Sequence, residues 1–330
     1  MRDMLTYAAV AATLSAILVG VVRRYATSRA VLDVPSERSS HRVPTPRGGG
    51  LGVVVACLGV LALAALRSGT LSPQLVALLL AGGLVAGIGW LDDHRPLGVA
   101  PRLLSHILAG AVVAWLAVDV AGPFGVVGLA GAMWWIVWTV SSINVTNFMD
   151  GIDGLIGLQA FVFGVHVLLL AGTAAPAAMA GATLAGAAAG FLVWNWAPAR
   201  IFLGDVGSGT LGLLLAAFGV LAQAAAGVPT AVAFLPLFPI FADAAVTLWR
   251  RWRGGERLTT AHRSHLYQRL ANGECGHAAV ALGYGAAAAL GSAVAVASPA
   301  DWRTGLAWAY IAAVVLAGAW LDGRTGWRTT

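Results

Sequence analysis

The sequence predicts an all-α, polytopic membrane protein of about eleven transmembrane helices, with a chemically active face toward the cytoplasm. Three observations predict it. The chain is 59% hydrophobic and 10% charged, with mean hydropathy +0.81, whereas soluble domains carry about 25% charged residues. Apolar stretches long enough to cross about 30 Å of hydrocarbon recur along the whole chain. Nearly all the positive charge falls in alternate loops. Residues 1–330 read as one integral-membrane domain, without an internal repeat or a low-complexity segment.

In chain order the apolar stretches cover residues 5–22, 49–66, 75–91, 103–118, 124–143, 155–172, 176–194, 207–226, 231–249, 278–298 and 305–321. The first is followed by Arg23-Arg24 rather than by a small-residue cleavage site, so it reads as a retained span and not as a signal peptide. Gly83 with Gly87, and Gly186 with Gly190, have the four-residue spacing that suits close helix packing, although glycine is also simply common in membrane helices. Eleven spans put the termini on opposite sides. If the loop after the first span is cytoplasmic, all but Arg2, Arg67 and Arg303 of the 20 basic residues lie inside. The positive-inside rule then places the N-terminus outside and the C-terminus inside. This topology accounts for the net charge of +6 and the pI near 10.1, so no nucleic-acid partner is expected. Two cysteines, Cys57 in an apolar stretch and Cys275 in a loop, offer neither a disulfide framework nor a zinc spacing.

The same orientation puts five polar motifs on one side. Residues 33–50 form a Pro-, Ser- and Arg-rich segment. Asp92-Asp93 closes the third span. Residues 144–155 carry Asn144, Asn147, Asp150 and Asp153 at intervals of three, with Gly151 and Gly154 between. That spacing places the four side chains on one helix face, although Asn/Asp-Gly steps are also the composition of a solvated turn. Residues 195–209 include Asn195, Arg200, Phe202 and Asp205, the last in a Gly-Asp-Val-Gly-Ser turn ahead of a helix. Exposed N–H groups there suit a phosphate. Residues 262–270 hold His262, Arg263 and His265, a cationic loop able to clamp a diphosphate, or an ordinary positive-inside loop.

Oxygen ligands without cysteine favour magnesium over zinc, and magnesium takes one or two carboxylates and fills its shell with phosphate and water. Asp243 lies inside the ninth stretch and reads as a supporting group. His41, His94, His106, His166 and His277 show no partner in sequence and read as structural.

Taken together, and in this order, the five motifs resemble the polyprenyl-phosphate N-acetylhexosamine-1-phosphate transferases of glycosyltransferase family 4. That family includes the phospho-MurNAc-pentapeptide translocase and the UDP-GlcNAc:undecaprenyl-phosphate enzymes. The resemblance spans residues 33–270. It implies a multi-pass enzyme of the bacterial inner membrane, dependent on Mg2+ (with Mn2+ as a substitute), and compatible with a homodimer. The reaction it implies is transfer of a sugar-1-phosphate from a UDP-sugar to undecaprenyl or another polyprenyl phosphate, releasing UMP. By the same resemblance Asp205 and Asn147 hold the metal, and Asp92, Asp93, Asp150, Asp153, His262 and His265 are catalytic. Asn144, Asn195, Phe202, Arg200 and Arg263 bind substrate, with Phe202 stacking on uracil. The two separated histidines, in place of three consecutive ones, point to initiation of O-antigen or other surface glycans rather than to the peptidoglycan enzyme. The rival from another class is a secondary transporter with a carboxylate ion site, which would place its acids near the midplane between repeats.

Overall fold

The computed structural model describes residues 1–35, 43–257, 262–273 and 275–325. His41 and part of the segment 33–50 lie outside the described residues. The described chain is helical apart from one two-stranded antiparallel ribbon, in which Leu32–Asp33 (β1) pairs with Thr45–Pro46 (β2) in the register Leu32↔Pro46 and Asp33↔Thr45.

In order, the first helices are α1 (Arg2–Ser28), α2 (Gly50–Ser68), α3 (Pro73–His94), α4 (Val99–Leu116), α5 (Gly128–Phe148), α6 (Leu155–Ala171), α7 (Ala175–Asn195) and α8 (Asp205–Ala226). Their ends follow local chemistry. Ser72 accepts the Leu75 N–H and Pro73 opens the first turn of α3, an N-terminus in which the missing proline N–H costs nothing. After a broken region come α9 (Thr230–Ala233), a 3-10 turn at Leu235–Leu237, α10 (Phe238–Arg253), the short α11 (Leu266–Asn272), α12 (Gly276–Ala297) and α13 (Ala300–Arg324).

Among the described residues nine helices, rather than eleven, are long and apolar enough to cross a membrane. Two of the expected spans account for the difference. The sixth forms α6, whose 17 residues reach only about 26 Å; Ile156, Phe163 and Val167 on it are almost fully buried in the bundle. The ninth is interrupted at Pro236 and Pro239, where the absent N–H and the ring clash break the helical ladder. What continues, α10, ends in Arg250, Arg251 and Arg253.

The bundle is centred on α8, whose residues from Val206 to Val220 are all buried; it packs against α3 and α5 on one side and α6 on another. Helix α1 lies against α7 at backbone distance. A Cβ on Gly186 would stand 2.1 Å from the Ala8 carbonyl oxygen, and one on Gly190 2.2 Å from that of Ala12. The other spaced pair behaves differently, since Gly83 and Gly87 face open space.

Alternation of direction brings the C-terminal ends of the odd spans and the N-terminal ends of the even ones together. Cross-links at that end are numerous: Arg23 Nε donates to the Arg200 carbonyl, the Gly50 N–H to Leu203 O, and the Gly154 N–H to Asn195 Oδ1. Arg250 and Arg269 both donate to Asp322 at the end of α13. All the motif residues within the described chain lie at this end.

Candidate active site

The site is built on the first turn of α8, where backbone N–H groups lack partners within the helix. Asp93, from the end of α3, supplies them: Oδ1 accepts the Asp205 N–H at 3.0 Å and Oδ2 the Val206 N–H at 3.2 Å. The carboxylate is buried, and Arg47 donates to the Asp93 carbonyl oxygen while its Nε stands 3.9 Å from Oδ1. Gly204 makes this approach possible. Its φ is +74°, and a Cβ would lie 2.6 Å from Asp93 Oδ2, so a side chain fails on both counts.

Asp92 points elsewhere. It accepts the Leu97 N–H and a 2.9 Å hydrogen bond from Arg102 Nη1, and its carboxylate lies close enough to that of Asp205 for the two to influence each other's titration. The adjacent acids therefore have different partners, and neither carboxylate stands free in solvent.

Asn147, near the end of α5, donates from Nδ2 to Asp205 Oδ1 at 2.7 Å and to Ser208 Oγ at 2.9 Å. Asn144, one turn earlier, donates to Val140 O. Asp150 follows in the turn between α5 and α6. Burial, with the carboxylates of Asp205, Asp93 and Asp153 nearby, pushes its pKa well above the ordinary aspartate value. Asp153 accepts the Ala199 N–H at 3.0 Å and sits 3.3 Å from His277 Nδ1. Asn195 ties two loops together, accepting from Gly154 and donating to Ile201 O. Phe202 is held by its backbone: its N–H donates to Pro46 O and its carbonyl accepts from Gly49. The ribbon of β1 and β2 thus fixes the ring's place.

The histidine segment is anchored from below. Asp243 accepts the Leu266 and Tyr267 N–H groups at 2.9 Å each and the Tyr284 hydroxyl at 2.7 Å, with His265 Nδ1 at 3.4 Å. It caps α11 at the residue that follows His265. The rings of His262 and His265 stack at 4.9 Å. Burial, reinforced by His265 and Arg251, lowers the His262 pKa to about 4.

Two clefts meet over these groups. The first, about 500 Å³, has an apolar wall of Val85, Ile88, Val99, Leu103 and Ile143, and a polar end with Arg102, His106, His262 and His265. The second, about 260 Å³, is lined by Asp33, Arg47, Asp93, Asp153, Asn195, Phe202 and His277. Asn147, Asp150, Gly151, Asp205 and Gln268 belong to both. Phe202 also borders an adjoining groove of about 360 Å³ with Pro198, Ala199 and Asn272.

The structure therefore gathers Asn144, Asn147, Asp93, Asp150, Asp153, Asn195, Phe202, Asp205, His262 and His265 at the clefts. Asp92 lines neither cleft and reaches them through Arg102 and Asp205. Arg200 and Arg263 are exposed and line neither cleft. Two histidines read as structural are placed otherwise: His106 lines the first cleft, and His277 pairs with Asp153. Arg47, Arg102, Tyr267 and Gln268 also line the site. Arg102 and His106 are spaced i, i+4 just after the acid pair, a signal the sequence does contain.

Among the described residues no three His, Cys, Asp or Glu side chains form a ready metal cage. Magnesium does not require one. Neighbouring carboxylates at Asp92 and Asp205, beside Asp150, call for a shared proton or a cation, and Asn147 adds an amide to the same floor. Asp205 is the carboxylate that would hold a hard divalent ion, and Asn147, whose Nδ2 donates to Asp205 and Ser208, would join it only through its Oδ1.

Fold and site together define a polytopic helical membrane protein with an acid-floored, two-cleft site at one end of its bundle. Residues 75–223 match the profile described as glycosyl transferase family 4. The chain is 30% identical over 309 residues to the decaprenyl-phosphate N-acetylglucosaminephosphotransferase of Mycobacterium tuberculosis H37Rv, covering 82% of this chain and 76% of that one. It is 32% identical to the enzyme of the same name from Mycolicibacterium smegmatis, with the same coverage. A phospho-N-acetylmuramoyl-pentapeptide-transferase from Symbiobacterium thermophilum is 32% identical over 244 residues, 66% of this chain and 72% of that one. The chain belongs to glycosyl transferase family 4. Nothing in the arrangement favours the transporter alternative, since the acids sit at helix ends and Asp243 is engaged in capping.

Proposed function

We propose that the protein transfers N-acetylhexosamine-1-phosphate, with N-acetylglucosamine as the favoured sugar, from a UDP-sugar to a polyprenyl phosphate at the cytoplasmic membrane face. The names of the mycobacterial relatives support the sugar and the lipid class. The observation that carries the reading is the shared floor, where a cleft with an apolar wall and a polar cleft join at Asn147, Asp150 and Asp205. The lipid phosphate enters the first cleft, with its chain along α3, α4 and α5 and its charge near Arg102 and His106. The UDP-sugar occupies the second cleft, with uracil against Phe202.

An oxygen of the lipid phosphate attacks the sugar-linked phosphorus. The new P–O bond replaces the bond to the bridging oxygen, which leaves with UMP. A phosphate monoester has a second pKa of about 6, so the attacking group is dianionic near neutrality and no proton must be moved. The chain's task is alignment and charge balance. Asp93 fixes the start of α8, Asp92 holds Arg102, Asn147 sets the Asp205 rotamer, and Asp243 caps α11 where the histidine segment ends. Magnesium held at Asp205 and Asn147 would supply neutralisation of the diphosphate.

The test is UMP release by purified protein from UDP-N-acetylglucosamine. Release is expected only with polyprenyl phosphate and a divalent ion both present, and is expected to be lost in Asp205→Asn while the protein stays folded. Absence of release with every UDP-N-acetylhexosamine overturns the assignment. Full turnover in excess chelator removes the metal from it.

A further inference from the structure

Three residues of α13 are buried, Ala307, Tyr310 and Asp322. Asp322 is the acid among them, on a helix whose other residues are largely exposed. Its side chain is 12% exposed and meets two arginines, Arg250 and Arg269, each 15% exposed. Packing alone does not account for this cluster, because a buried ion pair gains little stability over apolar residues of the same volume. What such a pair does supply is direction.

The two arginines flank the histidine segment. Arg250 stands in the last turn of α10, before the segment, and Arg269 in α11, after it. Both donate to the same oxygen, Asp322 Oδ1. Arg250 also bridges to the segment itself. Its Nη1 is held by Asp322, and its Nη2 donates to the Ser264 carbonyl oxygen at 2.6 Å. A guanidinium is planar, so fixing one nitrogen sets the direction of the other. Ser264 in turn meets His262, with its Oγ 2.9 Å from Nδ1. The His262 ring lines the first cleft and stacks on His265.

We propose that Asp322 is a positioning residue for the transfer: by clamping Arg250 and Arg269 it sets where His262 stands in the cleft that receives the lipid phosphate. This rests on the sugar-phosphate transfer reading above. Asp322 itself lines neither cleft and lies beyond the residues matched to the family profile. Removing its charge leaves two like charges clustered in a buried place and drops the hold on Arg250 Nη1. The second cleft, where the UDP-sugar sits, has no part in this chain of contacts.

The test is UMP release from UDP-N-acetylglucosamine by the purified full chain with polyprenyl phosphate and Mg2+, comparing wild type, Asp322→Asn and Asp322→Glu. UDP binding counts the folded molecules in each preparation. Asp322→Asn is expected to lower kcat per folded molecule about tenfold or more, with KM for the UDP-sugar unchanged. Asp322→Glu keeps the carboxylate and is expected to recover most of that loss. A merely structural role would lower the folded fraction and leave kcat per folded molecule unmoved. If Asp322→Asn does not fold, Arg250→Lys takes its place. A lysine keeps the charge against Asp322 but cannot reach Ser264 O in the same fixed plane, and the same fall in kcat at unchanged KM is expected. An unchanged kcat per folded molecule, or a loss that Asp322→Glu does not recover, overturns the Asp322 assignment and leaves the transferase reading standing. Failure of the wild type to release UMP from every UDP-N-acetylhexosamine overturns both.

Discussion

Asp92 and Asp93 are neighbours in the chain whose side chains meet different groups. Asp93 caps α8 through two N–H groups, whereas Asp92 is held by Arg102 and the Leu97 N–H. Asp93→Ala is expected to remove the cap and lower stability by about 1–2 kcal/mol, read as a reduced Tm in detergent, and Asp92→Asn is expected to lower activity with a smaller change in Tm. The reverse order would mean that the cap contributes little. At Phe202 the expectation is a nucleotide-sugar effect. Loss of stacking on a base costs about 1–3 kcal/mol, so Phe202→Ala should raise KM for the UDP-sugar while leaving KM for the lipid unchanged; an unmoved UDP-sugar KM would make the ring a packing group. His262 carries a pH signature. Its pKa falls from 6.5 to about 4 on folding, first through burial and then through His265 and Arg251. The unfolded chain thus takes up a proton that the folded one refuses. The stability this group supports is full above pH 6.5 and is lost as pH falls toward 4. The drop in Tm between pH 7 and pH 5 should be smaller in His262→Gln than in wild type, and equal drops would show that His262 is not the group. The motif residues themselves are readable in the sequence, but their division of work is not, because it depends on which N–H groups tertiary packing brings to each carboxylate.

At the scale of helices, hydropathy locates nearly every element because a membrane span is a long apolar sum, and such sums survive errors at individual residues. It misses the break inside residues 231–249 because a window average does not register two prolines, and it does not show that α6, at 17 residues, is short for a span. Short α11 is invisible to it, since seven residues held by Asp243 have no hydropathy signature of their own. Helix contacts are equally hidden, because Gly83 with Gly87 and Gly186 with Gly190 have the same spacing and opposite surroundings. A methyl group at Gly186 would overlap the α1 backbone at Ala8, where neither helix has a flexible side chain to yield. Gly186→Ala is therefore expected to separate α1 from α7 and lower Tm, by about 1–3 kcal/mol of overpacking. Gly83→Ala meets nothing within 4 Å and should leave Tm unchanged or slightly raised. Matching effects at the two positions would show that spacing, rather than approach, governs them.

For the whole molecule the decisive question is which side of the membrane the site faces. Every described motif residue lies at one end of the bundle, and all but three of the 20 basic residues fall in loops assigned to that side. Nucleotide sugars are water-soluble, so the same end must open to the compartment that holds them. The two native cysteines provide a test without new mutations. Cys275 is exposed, one residue ahead of α12 at the site end, and Cys57 is buried within α2. A membrane-impermeant maleimide should label the protein in inverted membrane vesicles and leave it unlabelled in intact spheroplasts, with the label lost in Cys275→Ser. Cys57 should react only after denaturation. Labelling of Cys275 from outside intact cells would reverse the orientation, and would place the acid floor, both clefts and most of the positive charge on the face opposite to the one that the arginine distribution indicates.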